Sequence, residues 1–265
     1  MPIDRKRMPS YRPWGSTDDG NIEFESLTTE TLQGALTVIR EEFFTDENVS
    51  VGVELTSEPG ASEELEELCL DAIKDGVSVV AIDVTTGKVV GAALNKIQIR
   101  GDPSTKGSFE LFSERCKWKS SKALVDFMIN VDSRLDLFNH YNVDCILEIM
   151  FMATKRSYRQ RRIGELLVVS SMEIGRELNR GKNVKVPVEI KDNDTITNEN
   201  CIPSLVSMIA TSNFTKKIAD RLGFSTLVKA SFDEFTFADK TFSQRIGNLH
   251  KFTWLIAKRL IVSKT

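Results

Sequence analysis

The alternation of apolar and polar positions lays out the elements of the chain. Ile22, Phe24 and Ser26 alternate with Glu23, Glu25 and Leu27 as a half-buried strand requires. Thr28 or Thr29 then caps a helix whose apolar face is Leu32, Ala35, Leu36, Ile39, Phe43 and Phe44. From 45 to 61 the pattern lapses into a loop marked by Asp46, Asn48, Gly52, Pro59 and Gly60, and loops of that length tend to line sites. Ser62 caps a second amphipathic helix, striped by Leu65, Leu68, Cys69, Ala72 and Ile73 and stopped at Gly76.

Two β-rich runs, 77–84 and 88–95, flank Thr85-Thr86-Gly87 and predict a hairpin. A helical stripe occupies 119–138. The run 145–153 is apolar almost throughout, too short for a good helix and suited to a buried strand. Ile163, Leu167, Ser170, Ile174 and Leu178 then draw one face of a long helix. An inserted loop over 182–203 holds a short strand candidate at 184–190 and the polar run Lys191-Asp192-Asn193-Asp194-Thr195. A strand at 205–210, a helix begun by Thr211-Ser212-Asn213 and stopped at Gly223, and strands at 225–235 and 252–260 complete a mixed α/β domain over 21–265. Residues 1–20, rich in Pro and Gly, read as an irregular tail that packs through Tyr11 and Trp14.

Charge and composition narrow the function. With 35 Lys+Arg against 38 Asp+Glu the net charge is −3, so nucleic-acid binding would have to rest on a local patch, and we discount it. Cys69, Cys116, Cys145 and Cys201 form no Cys-x-x-Cys pair and His140 and His250 are isolated, which argues against a metal site and a disulfide scaffold. No run is long enough to cross a bilayer and the N-terminus has no apolar signal region, so the reading is a cytoplasmic protein without a membrane partner.

Chemistry gathers in one stretch, Thr154-Lys155-Arg156-Ser157-Tyr158-Arg159-Gln160-Arg161-Arg162-Ile163-Gly164-Glu165, between the apolar strand and the long helix. The first N–H groups of that helix are unpaired and lie at the positive end of its dipole, where a phosphate is well accommodated. Arg159, Arg161 and Arg162 add charge. The competing reading is a solvated basic loop.

The element order, this turn, and Asn213-Phe214-Thr215-Lys216-Lys217-Ile218-Ala219-Asp220-Arg221-Leu222-Gly223-Phe224 resemble the GCN5-related N-acetyltransferase superfamily over roughly 22–260. The resemblance implies a central, mixed, mostly antiparallel sheet splayed between strands 4 and 5 and flanked by helices, in one N-acetyltransferase domain. Arg159, Arg162, Ile163 and Gly164 fall on the pyrophosphate motif of the family. Arg162 replaces its middle glycine, and Gln160 stands at a place that is also often glycine. Within the superfamily, Phe43-Phe44-Thr45-Asp46-Glu47-Asn48 and Thr211-Ser212-Asn213-Phe214-Thr215 look like motifs of the insect arylalkylamine N-acetyltransferases, with Asn48 where proline is usual.

That resemblance implies acetyl transfer from acetyl-CoA, a cosubstrate, to the primary amine of an arylalkylamine or similar small molecule in a ternary complex. Glu47 would be the general base, and Thr211 and Thr215 fall on positions that carry catalytic serine hydroxyls; Ala219 replaces the tyrosine acid of other members. Backbone groups of Met152, Ala153 and Thr154, and of Arg159, Gln160, Arg161, Arg162, Ile163, Gly164 and Glu165, would hold the cosubstrate, with Asn213 at its pantetheine arm and Lys216 at its phosphates. A base is needed because an alkylammonium has a pKa of about 10 and cannot attack while protonated. The alternatives are a diamine or polyamine acetyltransferase, which an acidic pocket around Asp46 and Glu47 would favour, and a CoA-binding module without catalysis.

Overall fold

The computed structural model describes residues 14–102, 105–190 and 196–260. Eight strands form one sheet: β1 (Gly15–Ser16), β2 (Ile22–Ser26), β3 (Val79–Asp83), β4 (Lys88–Ile99), β5 (Cys145–Thr154), β6 (Leu205–Ala210), β7 (Ser225–Ser231) and β10 (Phe252–Arg259), in the order β1-β2-β3-β4-β5-β6-β10-β7. A separate two-stranded ribbon holds β8 (Thr236–Phe237) and β9 (Lys240–Thr241). Every neighbouring pair in the large sheet is antiparallel except β5 and β6. The mixed, mostly antiparallel sheet that the family resemblance implies is therefore present.

Helices cover both faces. On one side α1 (Thr29–Val38), α4 (Ala61–Ile73) and α6 (Lys119–Asp132) bury Leu36, Leu65, Leu124 and Phe127 against Val80, Leu94 and Phe151. On the other, α8 (Ile163–Asn179) buries Ile163, Leu167, Met172 and Ile174 against Ala81, Ala93, Leu147 and Ile149, with Ala219 of α9 (Asn213–Arg221) alongside. The period-four stripe of α8 and the two-sided burial of β5 follow from this: a strand covered on both faces has no polar side to show.

The parallel pair sets the site. Its register is Ile146↔Leu205, Leu147↔Val206 and Glu148↔Ser207, and there it ends. From Ile149 onward β5 keeps β4 as its partner, to Gly91↔Thr154, while β6 turns to β10, to Trp254↔Ala210. The sheet thus opens between the fourth and fifth strands of the sequence-based count, β5 and β6.

Several expectations change. Residues 14–20, read as part of the irregular tail, hold β1, and Trp14 docks through its indole N–H on Ser26 Oγ at 2.9 Å; Tyr11 lies outside the described residues. The loop 45–61 contains α2 (Phe44–Asp46), α3 (Asn48–Gly52) and a 3₁₀ turn, Leu55–Ser57. The cap of α4 is Gly60, in the left-handed region at φ 90°, not Ser62. The stripe over 119–138 breaks after α6, and α7 (Leu137–Tyr141) starts anew because the Asp136 carboxylate caps Asn139 N. α5 (Ser108–Arg115) and α10 (Phe242–Ile246) carry no long periodic signal.

Positions 184–190 form no strand; the segment is tied by single bonds, Val186 N to Gly76 O and Glu189 N to Thr29 Oγ1. Gly76, at φ 69°, lets this backbone approach, since a Cβ there would lie 2.8 Å from Val186 O. Asp75, fully buried, accepts from Ile97 N, Thr197 Oγ1 and Asn198 Nδ2 at 2.7, 2.6 and 3.0 Å. Lys185 donates to the carbonyls of Asn198, Glu199 and Cys201. The insertion therefore braces the end of the sheet where β5 begins, away from the splay; the polar run 191–195 lies outside the described residues.

Candidate active site

The turn from β5 into α8 is built against sequence preference. Gln160 at φ 66° and Arg162 at φ 60° both occupy the left-handed region, where a side chain costs about 1–2 kcal/mol. These are the two positions where glycine was expected. The backbone that glycine would favour is thus adopted by two residues with side chains. Arg162 caps α8 from this state, and Leu166 N donates to its carbonyl.

What the turn offers is a run of unspent donors. Among the described residues, no backbone N–H from Gln160 to Glu165 has a partner within the protein. Alternating left-handed residues bring successive N–H groups to one concave side, an arrangement suited to anions. The α8 dipole adds to it. Ile163 is buried and packs near Gly91, and a Cβ at Gly164 would lie in ordinary contact with Ile218 of α9, at 3.5 Å.

The arginines are less available than their number suggested. Arg159 pairs with Glu42 Oε2 and Asp46 Oδ2, each at 2.9 Å, Arg156 with Asp46 at 3.3 Å and Lys155 with Glu41 at 3.5 Å. Arg156 N also donates to Glu42. Arg162 binds Glu165 at 2.7 Å, and Arg221 holds the other Glu165 oxygen at 2.6 Å, keeping that carboxyl below the usual range. Arg161 lies 5.2 Å from the Tyr158 ring and forms no ion pair among the described residues. The expected charge contribution thus falls mainly to Arg161, while the backbone supplies the donors.

Across the splay stands Glu47, between α2 and α3. Its Oε2 caps α3, accepting from Val49 N and Ser50 N at 2.9 Å each. Oε1 is buried and makes no hydrogen bond of normal geometry. Burial raises the Glu47 pKa, opposed by the Thr211 hydroxyl, the Ser50 and Val49 amides and the Ser50 hydroxyl. Asn48, in the place of the usual proline, reaches across with Nδ2 to Thr211 O at 2.7 Å. Glu47 and Thr211, 164 positions apart in sequence, therefore face each other.

Thr215 is placed differently. Ser212 caps α9, accepting from Thr215 N at 3.1 Å, and the two hydroxyls lie 3.0 Å apart. Asn213 N donates to His250 Nδ1 at 3.1 Å and Asn213 Nδ2 to Leu249 O at 2.7 Å, leaving Oδ1 as the free end of that side chain. Accepting that bond requires neutral imidazole, and burial lowers the His250 pKa accordingly. Lys216 pairs with Asp220 and lies 5.9 Å from the Trp254 ring. Met152, Ala153 and Thr154 are half-buried on the open edge of β5.

Sequence reasoning missed Ser50, His250 and the acids that bind Arg159. Ser50 had a local signal, three residues after the glutamate in a capped turn; His250 had none. Among the described residues no three metal-ligating side chains cluster, and no helix is long and apolar enough to cross a membrane.

No protein-family model matches the sequence, and no curated protein matches it. Solved structures do resemble the fold. Arylalkylamine N-acetyltransferase 2 from Aedes aegypti superposes with a TM-score of 0.71 at 22% identity, over 91% of this chain and 100% of that one. A putative arylalkylamine N-acetyltransferase 7 from the same mosquito gives 0.72 at 17% identity, over 97% and 98%. A Drosophila melanogaster polyamine N-acetyltransferase, described as forming N-acetylagmatine, gives 0.65 at 14%, over 90% and 99%. Likenesses that span almost the whole of each chain, on a sheet that parts between β5 and β6, identify this as the GCN5-related N-acetyltransferase fold.

Proposed function

We propose that the chain is an N-acetyltransferase that moves an acetyl group from acetyl-CoA to the primary amine of an arylalkylamine or similar small amine. The observation that carries this reading is the run of six unspent N–H groups, Gln160 to Glu165, at the mouth of the splay. Such donors suit a pyrophosphate, and the open edge of β5 at Met152, Ala153 and Thr154 suits an extended arm beside it. Asn213 Oδ1 and Lys216 lie on the α9 side for the same arm and its phosphates.

Acetyl-CoA supplies a thioester carbonyl; the chain supplies the proton path. Glu47 Oε1 takes a proton from the incoming ammonium, and its raised pKa narrows the gap to the amine. The freed lone pair forms the C–N bond as the C–S bond breaks and its pair leaves on sulfur. Backbone N–H groups at the end of β5 are suited to the charge on the acetyl oxygen. Thr211 faces the base and Thr215 shares a hydrogen bond with Ser212, so these two hydroxyls are the candidates for returning a proton to the sulfur.

The acids around Glu47 bear on the substrate. Asp46 and Glu42 are bound to Arg156 and Arg159 and are not left for a second ammonium, whereas Phe43 packs edge-on to Phe151 at 5.2 Å near the base. This favours an aromatic amine. One feature favours a diamine instead: Glu148, where β5 and β6 part, is buried near Asp132 of α6, and burial with mutual repulsion raises the Asp132 pKa.

Release of CoA thiol across a panel of arylalkylamines and diamines separates these readings. Thiol release with at least one amine, lost in Glu47→Ala, is the expected result. A chain stabilised by acetyl-CoA that releases no thiol with any amine would be a binding module, and the enzyme reading would be lost.

A further inference from the structure

Glu47 has no strand or long helix to stand on. It lies at φ −71° and ψ 143° between α2 and α3, helices of three and five residues, and helices that short do not hold themselves in water. What fixes the segment lies on either side of the glutamate. Asp46, the residue before it, binds Arg159 at 2.9 Å and Arg156 at 3.3 Å in the turn that follows β5, and Phe43 packs edge-on to Phe151 of β5. Asn48, the residue after it, donates from Nδ2 to Thr211 O at 2.7 Å, in the turn that follows β6.

The two ties run to opposite lips of the splay. β5 and β6 are unpaired beyond Glu148↔Ser207, and Thr211 is the first residue past the β6–β10 ladder, which ends at Trp254↔Ala210. Among the described residues, the Asn48 amide makes the one hydrogen bond of normal geometry from the segment 44–52 to the stretch 205–215. The far end of α3 is set elsewhere: Gly52 lies so close to Phe242 of α10 that a Cβ there would meet the ring at 2.8 Å. Only Asn48 refers the first turn of α3 to β6. It occupies the first helical position, where the family resemblance puts proline and where proline is pre-organised by its fixed φ. Asparagine lacks that stiffness and supplies a bond across the opening instead.

We propose that Asn48 is a positioning residue, whose amide, anchored on Thr211 O, acts with the Asp46 clamp to hold the Glu47 carboxyl between the two lips of the splay. This rests on the reading of Glu47 as the base. Asn48 acts through Glu47 alone. Without its bond the Oε2 cap of α3 remains, but the base is fastened at the β5 lip only and its carboxyl shifts. A misplacement of about 1 Å costs up to about a hundredfold in rate. The loss falls on removal of the amine proton and spares cosubstrate binding.

The test uses the full chain, with 2-phenylethylamine and 1,4-diaminobutane as acceptors, in wild type, Asn48→Pro, Asn48→Ala and Glu47→Gln. Asn48→Pro is the decisive variant because proline suits the position and lacks only the donor. Asn48 N makes no hydrogen bond among the described residues, and Glu47 already has the extended backbone that a following proline requires. Its melting temperature should match or exceed that of wild type. Its KM for acetyl-CoA should stay within about twofold, while kcat on the better acceptor falls about ten- to a hundredfold. Wild-type kcat should level off above the Glu47 pKa, whereas kcat of Asn48→Pro should go on climbing toward the amine pKa of about 10, since the proton then leaves without a placed base. Asn48→Ala should show the same kcat loss and pH profile with a lower melting temperature. A merely structural role would let proline restore kcat along with stability. Wild-type kcat and pH profile in Asn48→Pro, or in Asn48→Ala if the proline variant does not fold, overturn the positioning role alone, provided Glu47→Gln is inactive. An active Glu47→Gln, or a wild-type protein that acetylates neither amine, overturns the base reading and this role with it.

Discussion

Replacing Glu47 with Gln should inactivate the protein and stabilise it at the same time. Gln keeps the shape: its Oε1 can accept from Val49 N and Ser50 N as the carboxylate does, and its Nε2 stands where the unpaired oxygen was, donating to the Ser50 and Thr211 hydroxyls. Removing a buried charge whose Oε1 has no hydrogen bond of normal geometry is worth about 1–3 kcal/mol. For a chain of this size that is about 2–10 °C in melting temperature. The sign depends on pH. A carboxyl whose folded pKa is raised carries no penalty below its ordinary value near 4.5, and the penalty grows as pH rises from there through the folded pKa. The gap between Glu47→Gln and wild type should therefore close toward pH 4 and be widest at pH 8. On the proposed role of Glu47 as general base, the same change should cost about 10²–10⁴ in kcat. Thermal melts across pH 4–8, run beside the thiol-release assay, check both halves. A variant that melts below wild type at pH 8, or that acetylates within about tenfold of it, refutes the reasoning.

Three further predictions concern the frame. Arg162→Gly relieves left-handed strain of about 1–2 kcal/mol against an unfolded-state cost of about 0.5–1 kcal/mol. Stability should then hold within about 1 kcal/mol with acetyl-CoA affinity kept, whereas Arg162→Val should lower both in melts and calorimetry. Asp75→Ala strips four polar partners, including the Lys96 ammonium at 3.3 Å, and should cost about 3–5 kcal/mol in denaturant titration while kcat at low temperature stays unchanged. Glu25, half-buried on β2, has its pKa raised to about 7 by burial; Glu25→Gln should leave the melting temperature alone at pH 4 and raise it progressively between pH 4.5 and 7.

The fold was legible because its strongest signals are periodic. The stripe of α8, the apolar run of β5, the Thr85-Thr86-Gly87 hairpin and the Ser212-capped start of α9 all lie where pattern and capping rules put them. The elements that were not legible are short or held by distant partners. α3 has five residues and exists because a buried glutamate caps it; α10 exists because Phe242 fills the space left by Gly52. The candidate site was half legible. Glu47 and Thr211 were both candidates, but only folding brings the ends of two remote segments together. The turn from β5 into α8 was read through glycines that are absent, and Gln160 and Arg162 adopt there the left-handed backbone that glycine would favour.

The acid clamp on that turn has a kinetic consequence. Glu42 and Asp46 lie in the same few residues as Glu47, and they grip Arg156 and Arg159, which lead into the donors of Gln160 to Glu165. Seating a phosphate on those donors pulls on one end of a short lever whose other end carries Glu47. On the proposed function, a cosubstrate bound first would thus set the proposed base before an amine arrives, and steady-state kinetics should show compulsory order. The arginine side of the lever is solvent-exposed, so salt would loosen it, and rising ionic strength should blur that order toward random binding.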